Sequence, residues 1–161
     1  MALMIELLWG IVSKDPNEKE VAKNDGRIYQ IYGTHPIYGR DVLLYIGLST
    51  KDLDQRLEVH HRNWIKYEYD PVKVYYGTVV ESSGNSNYTK KEIIARAEAL
   101  LIYYCAPAYN SNLISAIEKK YLKEEEENIV VRNYGRIGSL PTEVSTAWYK
   151  SKVWNDNFFV K

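Results

Sequence analysis

Three runs of β-forming residues set the narrowest limits on what this chain can fold into. RIYQIY (27–32) alternates and is rich in tyrosine and isoleucine. VLLYIG (42–47) and KVYYGTVV (73–80) are of the same kind. Branched and aromatic side chains suit a pleated, half-buried surface, so each run predicts a strand. The stretch between the first two, GTHPIYGR (33–40), holds two glycines and a proline and reads as a turn. So short a connection predicts that the first two strands are antiparallel.

Helical spacing appears in two places nearby. Leu53, Leu57 and Trp64 share a face after Ser49, Thr50 and Asp52, each a suitable N-cap. TKKEIIARAEALLIYYC (89–105) carries an apolar stripe of Ile93, Ile94, Ala97, Leu100 and Leu101, and Pro107 ends it. A further helix is expected to begin at Ser111, with Leu113, Ile114, Ile117 and Tyr121 on one face. The acidic run Glu124 to Glu127 is a solvated end. Residues 13–25 read as a polar linker or a surface helix turn, and 128–161 as a short-strand appendage.

The apolar start, MALMIELLWGIV, contains Glu6 and lacks a basic leader and a cleavage site, so it does not read as a secretory signal. It is also far short of the roughly 20 apolar residues of a membrane span. It is expected to pack on the core as a strand or short helix, and the protein to be cytoplasmic. A chain of 161 residues is of one-domain length. Its single cysteine, Cys105, excludes an internal disulfide and a cysteine-rich zinc site. Twenty-one basic residues balance twenty-one acidic ones, which excludes nucleic-acid binding by bulk charge but not by a local basic face.

The stretch from Gly47 to His60 holds the first chemistry-bearing group. Arg56 and His60 are four apart and share a helix face. Tyr45 ends the preceding strand, and Gly47 permits a sharp turn or a close approach to a ligand. An arginine at that corner suits a phosphate, which it meets as a bidentate fork. The spacing is equally that of two solvated helix residues near Asp52 or Glu58. Glu98 lies inside the most apolar helix, either on the solvent edge of its stripe or half-buried, and a half-buried carboxylate needs a cation. That cation is either a divalent metal or an arginine or lysine such as Arg96 or Lys91. Tyr29, Tyr32, Tyr38 and Tyr45 crowd the expected hairpin, where cross-strand aromatic pairing accounts for some of them.

Taken together these residues resemble the GIY-YIG nuclease family. Arg27-Ile28-Tyr29 stands where the family has Gly-Ile-Tyr, with the glycine displaced to Gly26. Tyr45-Ile46-Gly47 is a full match, and the run Gly47 to His60 matches the family spacing from glycine to arginine to histidine. Glu98 is followed at family spacing by Leu101-Ile102, Pro107, Tyr109 and Asn110. The resemblance spans about residues 26–115.

It implies an α+β fold: a small three-stranded antiparallel sheet flanked by helices, here with a C-terminal strand and helix appendage (116–161) and an N-terminal extension (1–25) packed on the nuclease core. It implies hydrolysis of phosphodiester bonds with Mg²⁺ or Mn²⁺. Carried over by position, Glu98 resembles the metal-binding carboxylate, Tyr29 the general base for water, and Tyr45 its partner. Arg56 resembles the phosphate clamp, His60 its neighbour at the scissile group, Gly47 the permissive turn, and Asn110 a brace. A tyrosine base has an ordinary pKa near 10, and lowering it by about 3 requires roughly 4 kcal/mol of preference for the anion. Arg56 and the metal are the expected sources.

Two positions depart from the pattern. Arg27 replaces a glycine, and Leu48 stands where many relatives have lysine or another polar residue; Lys51 in the following loop is the candidate replacement. Neither removes the base, clamp or metal ligand. From residue 128 onward there are five basic and two acidic residues, interleaved with aromatics. Arg132, Arg136, Lys150 and Lys152, with Tyr134, Trp148, Tyr149 and Trp154, are therefore candidates for DNA contact. Trp148 and Trp154 equally suit completion of the core. The function expected is a metal-dependent DNA endonuclease of restriction or phage type, a homodimer if both strands of a palindrome are cut. The alternative is a nucleic-acid-binding module without turnover.

Overall fold

The computed structural model describes residues 2–11, 27–49, 53–84, 88–110 and 128–150. The segments 13–25, 111–127 and 151–161, and with them Lys51, Lys152 and Trp154, lie outside the described residues. The first strand, β1 (Leu3–Ile11), alternates strictly: Leu3, Ile5, Leu7 and Trp9 are buried while Leu8 is exposed. It is followed by β2 (Arg27–His35), β3 (Gly39–Ser49), helix α1 (Leu53–Asn63), β4 (Lys73–Ser83), α2 (Lys90–Cys105), β5 (Ile129–Gly135), β6 (Glu143–Ser145) and a short α3 (Thr146–Lys150). The expected turn at 33–40 shrinks to residues 36–38, because both flanking strands run on into it.

The strands form one six-stranded mixed sheet in the order β3-β2-β4-β1-β5-β6. This overturns the expected small three-stranded sheet. β2 pairs antiparallel with β3 and β4, but the sheet does not stop there. β1 pairs antiparallel with β4 on one side and parallel with β5 on the other. The N-terminal strand is thus central, not an element packed on a finished core. A central strand must find a partner on each side for its backbone polar groups. One of those partners, β5, lies more than a hundred residues away in sequence, beyond the reach of local pattern. A side-chain bond reinforces the junction: Trp9 Nε1 donates to Asn133 Oδ1 at 2.9 Å.

The two faces of the sheet pack differently. Helix α2 covers one face, where Leu3, Ile5, Leu7, Ile28, Ile46, Ile94, Ala97, Leu101, Val131 and Val144 form the main core. The helix begins with a reciprocal capping box between Thr89 and Glu92 and ends at Ala106, whose φ of 44° is left-handed. The opposite face is covered beside β2, β3 and β4 by α1, through Tyr29, Ile31 and Leu53 packed with Tyr45, Leu57, Trp64 and Tyr76. Because side chains alternate along β2, Ile28 enters the first core and Tyr29 the second. No helix among the described residues is long and apolar enough to cross a membrane.

Candidate active site

The site forms where β3, the edge strand, meets both helices. Tyr29 on β2 lies directly opposite Gly47 on β3 and Tyr76 on β4. A side chain at position 47 has no room: a Cβ there would stand 2.5 Å from Tyr45 Cε1 and 2.6 Å from Tyr29 Cζ. Gly47 sits within a regular strand, so its role is not the expected turn. It clears space for two tyrosine rings to lie across the hairpin, stacked with centroids 6.0 Å apart.

Helix α1 brings Arg56 and His60 over those rings. His60 is buried and lies 4.7 Å from the Tyr45 ring, centroid to centroid. Its Nε2 is 2.7 Å from the Tyr29 hydroxyl oxygen. Its Nδ1 accepts a hydrogen bond from Trp64 Nε1 at 3.1 Å. An indole N–H can only donate, so Nδ1 of His60 carries no proton. Burial and the nearby Arg56 guanidinium hold the His60 pKa below its ordinary value, leaving the ring neutral at pH 7. Its one proton is therefore on Nε2 and is donated to Tyr29. Trp64 also prevents His60 from taking a proton from Tyr29, since a doubly protonated ring would set two donors against each other.

Tyr29 is fully buried. Its oxygen receives the His60 bond and lies within hydrogen-bonding reach of the Arg56 guanidinium. Both donors favour the phenolate. Burial outweighs them, with Tyr45 and Glu98 adding to it, and the Tyr29 pKa lies above its ordinary value. The expectation that Arg56 lowers it is right in direction and too small in size. The group is therefore a phenol at neutral pH. Arg56 is itself exposed and bonds to Tyr29 and more weakly to Tyr45.

Glu98 comes from the other side of the sheet. Helix α2 carries it past the β3 edge, where it accepts a hydrogen bond from the Leu48 backbone N–H. Burial pushes its carboxyl up to about 7, against the opposing pulls of that N–H and of Arg56. It is the backbone of Leu48, not its side chain, that meets Glu98. Asn110 occupies the neighbouring edge position. Its side chain accepts from Ile46 N at 2.8 Å and donates to Ile46 O at 2.9 Å, standing in for a further strand. Tyr109 N donates to Leu44 O at 2.8 Å one step along. The edge of β3 is thus closed by the same residues that fix the site.

Tyr29, Tyr45, Gly47, Arg56, His60, Glu98 and Asn110 are therefore brought together. The basic C-terminal residues are not. Arg132 on β5 is three strand spacings from β2, about 14 Å. Its guanidinium Nε is engaged by Glu143 Oε2 at 2.9 Å. Arg136 is exposed in the loop after β5. Lys150 ends α3, and Trp148 is partly exposed with its ring 5.7 Å from that of Tyr104. Arg27 is buried on the Tyr29 face, 5.2 Å over the Tyr76 ring. Its Nε and Nη1 meet no acceptor among the described residues.

The residue that sequence reasoning undervalued is Trp64. Its helical spacing marked it as core, yet its place four after His60 was the available signal for a side-chain partner. Among the described residues there is no cluster of three or more potential metal ligands. The donor set suits a divalent ion all the same. A single carboxylate is a normal protein contribution to Mg²⁺, which keeps most of its waters and takes the rest of its shell from phosphate. No protein-family model, curated protein or solved structure matches the chain.

Proposed function

We propose that the chain is a metal-dependent endonuclease of the GIY-YIG type acting on DNA. The observation that carries this reading is the convergence on one strand edge of Tyr29, Tyr45, Arg56 and His60 from one face and Glu98 from the other. An exposed guanidinium beside a partly exposed tyrosine suits a phosphate as first contact. Tyr29 first releases its own phenolic proton to solvent; the phenolate, held by the His60 and Arg56 donors, then accepts the proton of the attacking water. Arg56 then stabilises the charge that grows on the phosphorane. Glu98 is the residue that would hold Mg²⁺ or Mn²⁺. The chemistry such an ion would supply there is positive charge at the phosphate and acid catalysis for the leaving oxygen.

A cytoplasmic location and a symmetric homodimer, the latter if both strands of a palindrome are cut, belong to the same proposal. A binding module without turnover is the second reading, favoured by the complete burial of Tyr29. One experiment separates them: supercoiled plasmid with Mg²⁺ or EDTA, beside Glu98→Ala and Arg56→Ala. The expected result is metal-dependent nicking or cutting that falls at least about 100-fold in either variant. Wild-type-like cleavage by the variants would falsify the assignment of the site. Metal-independent retention of plasmid without cleavage would favour the binding module.

A further inference from the structure

An aromatic groove opens beside the site, on the α1 face at the end of the β2–β3 hairpin. It has a volume of about 340 Å³ and is walled by Trp64, Tyr67, Tyr69 and Tyr109, with Thr34 and Glu68 among its polar groups. Tyr67 and Tyr69 are 74% and 98% exposed, an unusual placement for large rings. The groove shares a wall with the catalytic cluster. Trp64 bonds to His60, and its ring lies 5.8 Å from the His60 ring and 5.1 Å from that of Tyr109.

Charge around the groove is divided. Glu68 stands among the rings, and its one side-chain partner among the described residues is the Tyr109 hydroxyl, 3.1 Å from Oε1. Asp70 nearby is occupied by Thr34 Oγ1 at 2.8 Å and by Arg40 at 3.8 Å. Cations stand outside: Lys66 lies 4.8 Å over the Tyr67 ring, and Arg40 is highly exposed. An acidic interior repels phosphate. Aromatic faces, a carboxylate acceptor and flanking cations together suit a neutral ring with an amino edge, attached to a phosphate on either side.

We propose that this groove receives an unpaired nucleobase of the substrate strand, about two nucleotides from the phosphate held by Arg56, since Trp64 follows Arg56 by eight residues, about 12 Å along the helix direction. The proposal rests on the nuclease reading and narrows it to substrates with unstacked nucleotides near the cleavage point: single strands, flaps or bulges. Tyr67 and Tyr69 supply the stacking surfaces. Glu68 accepts from an exocyclic amine, as carboxylates do from cytosine N4. The indole of Trp64 ties occupancy of the groove to the position of His60.

The test uses a short single-stranded DNA carrying 2-aminopurine, and the same strand annealed to its complement, both in EDTA so that nothing is cut. Quenching of 2-aminopurine reports stacking directly. The wild-type protein is expected to quench the single strand and to bind it more tightly than the duplex. The Tyr67→Ala/Tyr69→Ala double variant is expected to lose about tenfold in single-strand affinity, within the range for aromatic–base stacking. Its duplex affinity should be unchanged. Glu68→Gln is expected to weaken cytosine-containing strands more than thymine-only strands. Equal affinity of wild type and double variant for the single strand overturns the proposal. So does binding of a proline-rich peptide in the groove with no quenching by DNA. Plasmid cleavage is scored in parallel: loss of cleavage in the wild type sinks the nuclease reading, while quenching still decides the groove.

Discussion

Replacing Glu98 by glutamine should make this protein more stable and inactive at once. The folded chain holds the Glu98 proton until about pH 7, against an ordinary value of 4.5. Below about pH 4.5 the carboxyl is neutral in both folded and unfolded chains and costs nothing. As pH rises towards 7 the unfolded chain gives up its proton first, so folding is progressively disfavoured. Above pH 7 the full difference applies, about 3 kcal/mol as an order of magnitude. Glutamine keeps the acceptor for the Leu48 N–H and never ionises. Glu98→Gln is therefore expected to gain roughly 2–3 kcal/mol over wild type at pH 8 and almost nothing at pH 4.5. Urea denaturation at the two pH values, in EDTA, measures both. Added Mg²⁺ should stabilise the wild type at pH 8 and leave the variant unmoved, because only the carboxylate binds the ion. A stability difference independent of pH would refute the reasoning, since it would mean that the Glu98 charge is not what the fold pays to keep.

Gly47→Ala sets a methyl group against Tyr29 and Tyr45 and should cost about 1–3 kcal/mol, read as a lower midpoint in the same denaturation assay. Asn110→Leu strands the Ile46 N–H and C=O at the edge of β3; a loss of about 2–4 kcal/mol is expected, and faster amide exchange at Ile46 locates it. Trp64→Phe removes the donor that fixes His60. Imidazole ¹⁵N spectra should show the Nε2–H form in wild type and a mixture with a higher His60 pKa in the variant. Cleavage should fall about tenfold, the worth of one hydrogen bond of about 1.4 kcal/mol. An unchanged tautomer in Trp64→Phe would remove Trp64 from the site.

The elements that local chemistry dictates were legible in the residues. The apolar stripe of 89–105 marks α2, and the alternation of RIYQIY places Ile28 and Tyr29 on opposite faces. The spacing of Arg56 and His60 put them on one helix face, and there they meet the same tyrosine. The size of the sheet was not legible. The apolar run at residues 1–12 announced burial, but which strand it pairs with is decided by contacts to β4 and β5, far away in sequence. Nor could sequence show that Arg132, basic and near aromatics, is committed to Glu143 at the other side of the sheet.

What the sequence by itself determined is therefore the inventory and its local order: a tyrosine on each hairpin strand, a glycine two residues after the second of them, an arginine and histidine one turn apart, a lone carboxylate in an apolar helix. These depend on side-chain periodicity and capping, which act over a few residues. Only the tertiary structure decided the protonation chemistry. Burial raises the Tyr29 and Glu98 pKa values, Trp64 dictates which nitrogen of His60 bears the proton, and the Leu48 amide holds Glu98 at the strand edge. Each of these is a matter of desolvation and of donors meeting acceptors, and both are set by neighbours that the chain brings close only when it has folded.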